Sequence, residues 1–208
     1  GSGKSTFLKE LQKKFSNVKF INEPVDIWES ILDESGNNMI ENYYKDNKKY
    51  AFPFQVMAYG TRVKLLFNEL NKILLNPNNN SKPHFICERS IYTDKNVFVK
   101  MLHDEKIITK QENTIYEHLF MNENFDKLSI KYLYVDTNPQ LCYDRIIQRG
   151  RKGENIDLEY LKKCDLYHKK WFDNIPNDKI IRVDGRENFN ETSVMDKYVS
   201  KIKSFLNS

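Results

Sequence analysis

Apolar residues at Phe7, Leu8, Leu11 and Phe15 recur at helical spacing, which predicts a first helix over residues 4–15. A short apolar run, Val18–Ile21, stops at Glu23-Pro24 in the manner of a strand buried in a parallel sheet. Residues 25–50 are helical in pattern, with a break near Gly36-Asn37-Asn38. A long helix is predicted over 54–75, with Tyr59, Val63, Leu66, Phe67, Leu70 and Leu74 along one stripe. Asn76-Pro77-Asn78-Asn79-Asn80-Ser81-Lys82-Pro83 ends it and reads as an exposed loop. Further buried strands are predicted over 84–87, 130–135 and 180–183, with helices between them. Alternation of helices with short apolar strands implies an α/β fold whose parallel sheet is covered on both faces. Ligands of such sheets sit beyond the carboxyl ends of the strands, which marks Glu23, Glu88, Arg89 and Asp184 by position alone.

Composition narrows the class. With 208 residues, 39% of them hydrophobic, the chain suits one domain spanning 1–208. A net charge of +4 fits phosphate ligands but is too small for a nucleic-acid polymer as partner. Cys87, Cys142 and Cys164 are far apart and odd in number, against a disulfide framework or zinc site. No apolar run approaches the roughly 20 residues that span a bilayer.

The candidate chemistry begins at the first residue. Gly1-Ser2-Gly3-Lys4-Ser5-Thr6 is the back half of the G-x-x-x-x-G-K-[ST] phosphate loop, leading into a helix. Backbone N–H groups there curl around an anion at a helix N-terminus. Lys4 reaches the outer phosphates and the Ser5 hydroxyl holds Mg²⁺. The pattern's first Gly and the strand that delivers such a loop are not in the sequence. The chain therefore reads as cut within the loop, with the central strand of a five-stranded sheet ahead of Gly1, and is expected as it stands to be inactive or poorly folded. Glu88, closing a strand, can complete the coordination of that magnesium, and Arg89 suits bidentate phosphate contact; both could equally form a salt bridge at a strand end. Glu23 could take the proton of an attacking hydroxyl, or compensate a helix N-terminus. Trp28 beside it could be plain core. Arg145, Arg149 and Arg151, followed by Gly153, form a basic cluster able to close over phosphates, or a solvated helix end.

Taken in order, these motifs resemble one family. The half phosphate loop, Glu23-Pro24-Val25 with Trp28, Tyr44-Lys45-Asp46 followed by Phe54-Gln55, Glu88-Arg89-Ser90, and Arg149-Gly150-Arg151 with Glu154 and Leu158-Glu159-Tyr160-Leu161 are similar to the deoxyribonucleoside kinases, in particular their deoxycytidine- and deoxyguanosine-kinase-like members. The resemblance covers nearly the whole chain. It implies a three-layer P-loop kinase fold with an arginine-rich lid at about 145–157, and transfer of the γ-phosphoryl of ATP, with Mg²⁺, to the 5′-hydroxyl of a deoxynucleoside. By resemblance Glu23 is the general base, Arg89 lies beside it, Lys4 serves the phosphates, and Ser5 and Glu88 serve the metal. Tyr44 and Glu154 grip the 3′-hydroxyl, Gln55 reads the base, and Trp28, Phe54 and Phe98 wall the pocket. Arg145, Arg149 and Arg151 form the lid, and Asn188 and Phe189 lie in the loop that touches the donor's adenine. The lid is one residue shorter than the family's between Glu154 and Leu158, and Asp157 stands where a proline is common. His168 and Trp171 read as helix packing.

Gln55, Ala58 and Arg62 share a helix face, so Arg62 points toward the pocket that Gln55 serves. With Asp94 it resembles the pair found in deoxycytidine and deoxyguanosine kinases, which implies deoxycytidine or a purine deoxynucleoside rather than thymidine; the other reading is a surface ion pair. Two rival functions share the fold: a thymidylate-type monophosphate kinase, and a non-catalytic assembly subunit. The resemblance further implies a homodimer packed through helices. It places the protein in the cytoplasm, or in the mitochondrion if a targeting segment precedes Gly1.

Overall fold

The computed structural model describes residues 1–75, 84–121, 128–151 and 156–207. The predicted loop from Asn76 to Pro83, Glu154 with its immediate neighbours in the lid, and the side chain of Leu74 lie outside the described residues.

The phosphate loop enters α1 (Lys4–Gln12), which ends short of the predicted residue 15. There the Lys14 N–H closes a tight turn on the Leu11 carbonyl at 2.9 Å, and Phe15 packs against the core from outside the helix. Strand β1 (Val18–Ile21) leads to the short α2 (Val25–Ser30). Asn38 then opens α3 (Met39–Lys45) by a reciprocal cap with Glu41, which satisfies N–H groups that have no partner within the helix.

Helix α4 (Asn47–Leu74) begins well before the predicted residue 54, because Asp46 caps it through the Lys49 N–H at 3.2 Å. Pro53 therefore lies inside the helix, where it lacks an N–H to donate to the preceding turn. Phe67 departs from the predicted stripe. It is 42% exposed, one helical step away from Leu66 on the packed face.

Strand β2 (His84–Cys87) is followed by α5 (Ile91–Thr93), a π-helical stretch (Asp94–Val99) and α6 (Lys100–Asp104). Then come α7 (Lys110–Met121), β3 (Tyr132–Asp136), α8 (Pro139–Arg149), α9 (Leu158–Phe172), β4 (Ile180–Asp184) and α10 (Thr192–Asn207). Both strand pairs are parallel: β1 with β2 in register Val18↔His84 through Ile21↔Cys87, and β3 with β4 from Tyr132↔Ile180 to Asp136↔Asp184. Among the described residues the strands form these two pairs rather than one sheet. Phe85 and Ile86 of β2 and Leu133 and Val135 of β3 line the same cavity, about 1570 Å³ in volume. Glu23, Glu88 and Arg89, beyond the carboxyl ends of β1 and β2, line that cavity, whereas Asp184 at the end of β4 does not.

Helix α1 bridges the two pairs. Phe7 and Leu11 join Val135 of β3, Val183 of β4 and Met195, Tyr198, Val199 and Ile202 of α10 in one core, with Phe20 of β1 packed against it. A second core gathers Tyr43, Tyr59, Ile91, Val99, Leu102, Ile108 and Tyr116 beneath the other half of the cavity. No helix among the described residues is long and apolar enough to cross a membrane, and all three cysteines are free thiols. Truncating the fully buried Leu11 to Ala is expected to cost about 3 kcal/mol, whereas Lys13→Ala on the exposed face should stay within about 0.5 kcal/mol of wild type. Urea denaturation of the two variants checks this.

Candidate active site

Gly3 caps α1 in the left-handed region at φ 89°, and a Cβ there would stand 3.2 Å from the Phe189 ring, so backbone conformation and space both call for glycine. Next to it Lys4 is turned inward, donating to the Ser2 hydroxyl at 3.1 Å. Burial, and next the charge of Arg89, lower its amine to about 8 against the opposing pull of Glu23 and Glu88. Ser5 donates to the Glu88 Oε1 at 2.5 Å, so the two predicted metal-site oxygens meet across the junction of α1 and β2. One hydroxyl and one carboxylate suit a hard cation that takes its remaining ligands from phosphate and water.

At the end of β1, a single Glu23 oxygen accepts from Arg62 at 2.6 Å and from Arg89 at 3.1 Å. Arg62 also donates to Asp94 at 2.9 Å and to the Glu88 carbonyl at 3.3 Å. Its side chain is 8% exposed and that of Asp94 2%, which overturns the surface-pair reading. Helix spacing, which points Arg62 toward the pocket that Gln55 serves, carries no signal of its contact with Glu23. Burial raises the Glu23 carboxyl, but Arg89, Arg62 and Lys4 together outweigh it and hold the group at about 2. For Asp94 burial wins, and its carboxyl lies above the ordinary range despite Arg62 and Arg89.

Arg89 occupies the left-handed region at φ 62°, rare for a residue with a side chain. Its guanidinium lies 4.9 Å from the Phe98 ring, and that of Arg62 lies 5.2 Å from Trp28. Trp28 is itself fixed by its indole N–H on the Thr61 hydroxyl at 3.0 Å and by an edge contact with Phe54. Gln55 and Ala58 are buried on the same face of α4, Tyr44 packs beside Tyr43, and all of these except Thr61 line the cavity. The nucleoside-end residues predicted from the sequence are thus brought together, apart from Glu154.

The residues expected to serve the donor also line the cavity. Arg145 lines the cavity, half-buried, and donates to the Gly185 carbonyl at 2.8 Å and the Gly1 carbonyl at 3.5 Å, so it also braces backbone. Arg149 and Arg151 are exposed at the cavity mouth. Asn188 caps the approach to α10 through Asn190 and Glu191. Phe189 lines the cavity from a buried position under the phosphate loop, 4.9 Å from the Phe7 ring. Asp184, marked by its strand-end position, is paired with Arg186. His168 packs among Tyr134 and Phe172, with burial lowering it to about 4, in keeping with a structural role. Thr137 was missed; its hydroxyl donates to the Ser2 carbonyl at 3.0 Å, and its place directly after β3 was the available signal.

Two outcomes follow from this geometry. Because Glu23 sits at about 2 when folded against 4.5 ordinarily, its ion pairs stabilise the fold fully above about pH 5 and are lost as the pH falls toward 2. Wild type should therefore lose on the order of 2–3 kcal/mol over that window that Glu23→Gln does not lose, measured by denaturation at each pH. Arg89→Gly should be more stable than Arg89→Ala by about 1 kcal/mol, since only glycine adopts a left-handed backbone freely. Paired thermal melts check it.

A family model described as "Deoxynucleoside kinase" matches residues 1–207. The chain is 34% identical over 173 residues to the probable deoxycytidine kinase of fowlpox virus, covering 82% of this chain and 67% of that one. It is 31% identical to human deoxycytidine kinase, covering 100% of this chain and 88% of the other. With the mitochondrial deoxyguanosine kinase of Xenopus laevis it shares 27% identity, over 98% of this chain and 85% of the relative.

Proposed function

The chain belongs to the deoxynucleoside kinase family, an ATP-dependent phosphotransferase family with a P-loop fold, and on that premise we propose how its residues bind and phosphorylate a nucleoside. The reading rests on Arg62, which links the strand-end carboxylate Glu23 to Asp94 inside one cavity.

Lys4 and the N–H groups of Gly1 to Thr6 cradle the donor phosphates, and Ser5 and Glu88 would hold Mg²⁺. Mg²⁺ bound there would neutralise charge on the β- and γ-phosphates. The nucleoside's 5′-oxygen attacks the γ-phosphorus as the bond to the β-phosphate oxygen breaks, and the hydroxyl proton passes to Glu23. A carboxylate held at about 2 is a weak base, so its main work is to orient the hydroxyl, which suits a loose transition state in which the proton leaves late. Arg89 stabilises the transferring group, and Arg149 and Arg151 close over it as a lid spanning about 145–157. Trp28, Phe54 and Phe98 sandwich the nucleoside, while Gln55, Arg62 and Asp94 read the base; Ala58 leaves it room. Tyr44, with Glu154, grips the 3′-hydroxyl. Asn188 and Phe189 belong to the donor-base loop, Phe189 supporting it from below.

A monophosphate acceptor would need a cation for its phosphate. Arg62 and Arg89, the two guanidinium groups that donate to Glu23, are both engaged by carboxylates, which favours a neutral hydroxyl compound. Retention of Lys4, Glu23 and Arg89 in one cavity likewise favours catalysis over a pure assembly role. The buried Arg62–Asp94 pair fills space that a thymine methyl would need and offers partners to the exocyclic groups of cytosine or a purine. Deoxycytidine and the purine deoxynucleosides are therefore the preferred substrates.

The two parallel strand pairs belong to one five-stranded sheet, and residues 1–208 form a single kinase domain. The protein acts as a homodimer packed through helices, in the cytoplasm or mitochondrion. In an assay of the full-length protein with ATP and each of the four deoxynucleosides, deoxycytidine or a purine nucleoside should show the highest kcat/KM, and monophosphates should be poor acceptors. Combining Arg62→Met with Asp94→Ala should raise the thymidine-to-deoxycytidine ratio by at least about 10-fold. Thymidine as the best wild-type substrate, or an unmoved ratio, would overturn the substrate assignment.

A further inference from the structure

We propose that Thr137 is a positioning residue for the donor, a latch that sets the direction in which the phosphate loop presents its Gly3 N–H. The inference rests on the reading of residues 1–6 as the donor cradle.

The Ser2 carbonyl and the Gly3 N–H belong to one planar trans peptide unit, so they point in opposite directions. Thr137, at the carboxyl end of β3, donates its hydroxyl to the Ser2 carbonyl at 3.0 Å. That contact holds the carbonyl against the strand end, so the Gly3 N–H, on the opposite side of the same peptide, is turned away from Thr137 and left to the anion that the loop cradles. The bond matters because Gly3 has a left-handed φ of 89° and no side chain, and such a glycine peptide reorients with little resistance. A flipped peptide would present a carbonyl oxygen to the phosphates.

The surroundings are built to let the hydroxyl reach. Thr137 is buried, leaving its hydroxyl little access to water as an alternative partner. Gly185, just after β4, passes so close that a Cβ there would stand 1.7 Å from the Thr137 Oγ1. The Gly185 N–H donates to the Asp136 carbonyl at 2.7 Å and its carbonyl accepts from Arg145 at 2.8 Å, which ties the ends of β3 and β4 and the start of the phosphate loop into one unit. The latch therefore joins the loop to the rigid β3–β4 pair, and α1 alone does not have to hold its direction.

The test compares Thr137→Ser, which keeps the hydroxyl, with Thr137→Ala, which removes it, in the full-length protein. Steady-state kinetics are measured against ATP at saturating nucleoside and against nucleoside at saturating ATP. Thr137→Ala should lower kcat/KM for ATP about 10-fold, chiefly by raising KM for ATP, with KM for the nucleoside within about 2-fold of wild type. Thr137→Ser should restore kcat/KM for ATP to within about 2-fold of wild type. A general loss of folded enzyme would lower kcat and leave KM for ATP unchanged, and that result overturns the proposal. So does equal damage in the Ser and Ala variants, or none in either. Should Thr137→Ala fail to fold, Thr137→Val carries the same comparison. Lys4→Ala is the separate control on the cradle: if it leaves ATP turnover intact, the assignment of residues 1–6 fails, whatever Thr137 does.

Discussion

The guanidinium of Arg62 is the group on which the arrangement of the site depends. From one position on α4 it reaches Glu23 at the end of β1, Asp94 at the start of the π-helical stretch and the Glu88 carbonyl at the end of β2, with its face over Trp28 of α2. Burying such charges costs several kcal/mol per ion, and only good geometry offsets it. Here Lys4, Arg62 and Arg89 face Glu23, Glu88 and Asp94, so the cluster is electrically balanced and its members hold one another in place. Well-packed apolar residues could stabilise the same volume as well or better. What the charges add is orientation: a carboxylate kept ionised and aimed before any substrate arrives.

Irregular backbone gathers around the same cluster. Arg89 holds a left-handed φ, and the helix beyond it widens into a π turn over Asp94–Val99, the stretch that supplies both Asp94 and Phe98. Each departure has an energetic cost, and each places a side chain where a regular strand end or α-helix would not. The opposing stabilisation comes from below, where Ile91, Val99 and Leu102 anchor the segment in the core with Tyr43 and Tyr59.

The donor end is organised by packing more than by charge. Phe189 and Phe7 lie together under the phosphate loop, α1 carries that loop on a core shared with β3, β4 and α10, and Arg145 and Thr137 hold its carbonyl side. The phosphate loop thus rests on the core shared by α1, β3, β4 and α10, while Tyr44 and Phe54 pack against a different core.

Four apolar runs gave away the strands, because burial forces apolar composition, and the rule that ligands gather at strand ends marked Glu23, Glu88, Arg89 and Asp184, of which the first three line the cavity and Asp184 pairs with Arg186. Spacing along α4 also put Gln55, Ala58 and Arg62 on one face, and the matched motifs named the family. Local pattern misled where a neighbour overrode it: the apolar stripe predicted the long helix from residue 54, yet the Asp46 cap starts it at Asn47, and α1 ends early while Phe15 stays packed. Phe67 carried the right residue type one step off the buried face. The contacts of Arg62 with Glu23 and of Thr137 with Ser2 join residues 39 and 135 positions apart, and no period along a chain encodes such a distance. Composition and spacing determined which elements form and which residues stand at their ends. Only the folded packing decided which charges meet, which ring is buried, and which peptide is held, because those outcomes depend on the burial and desolvation that the whole chain creates together.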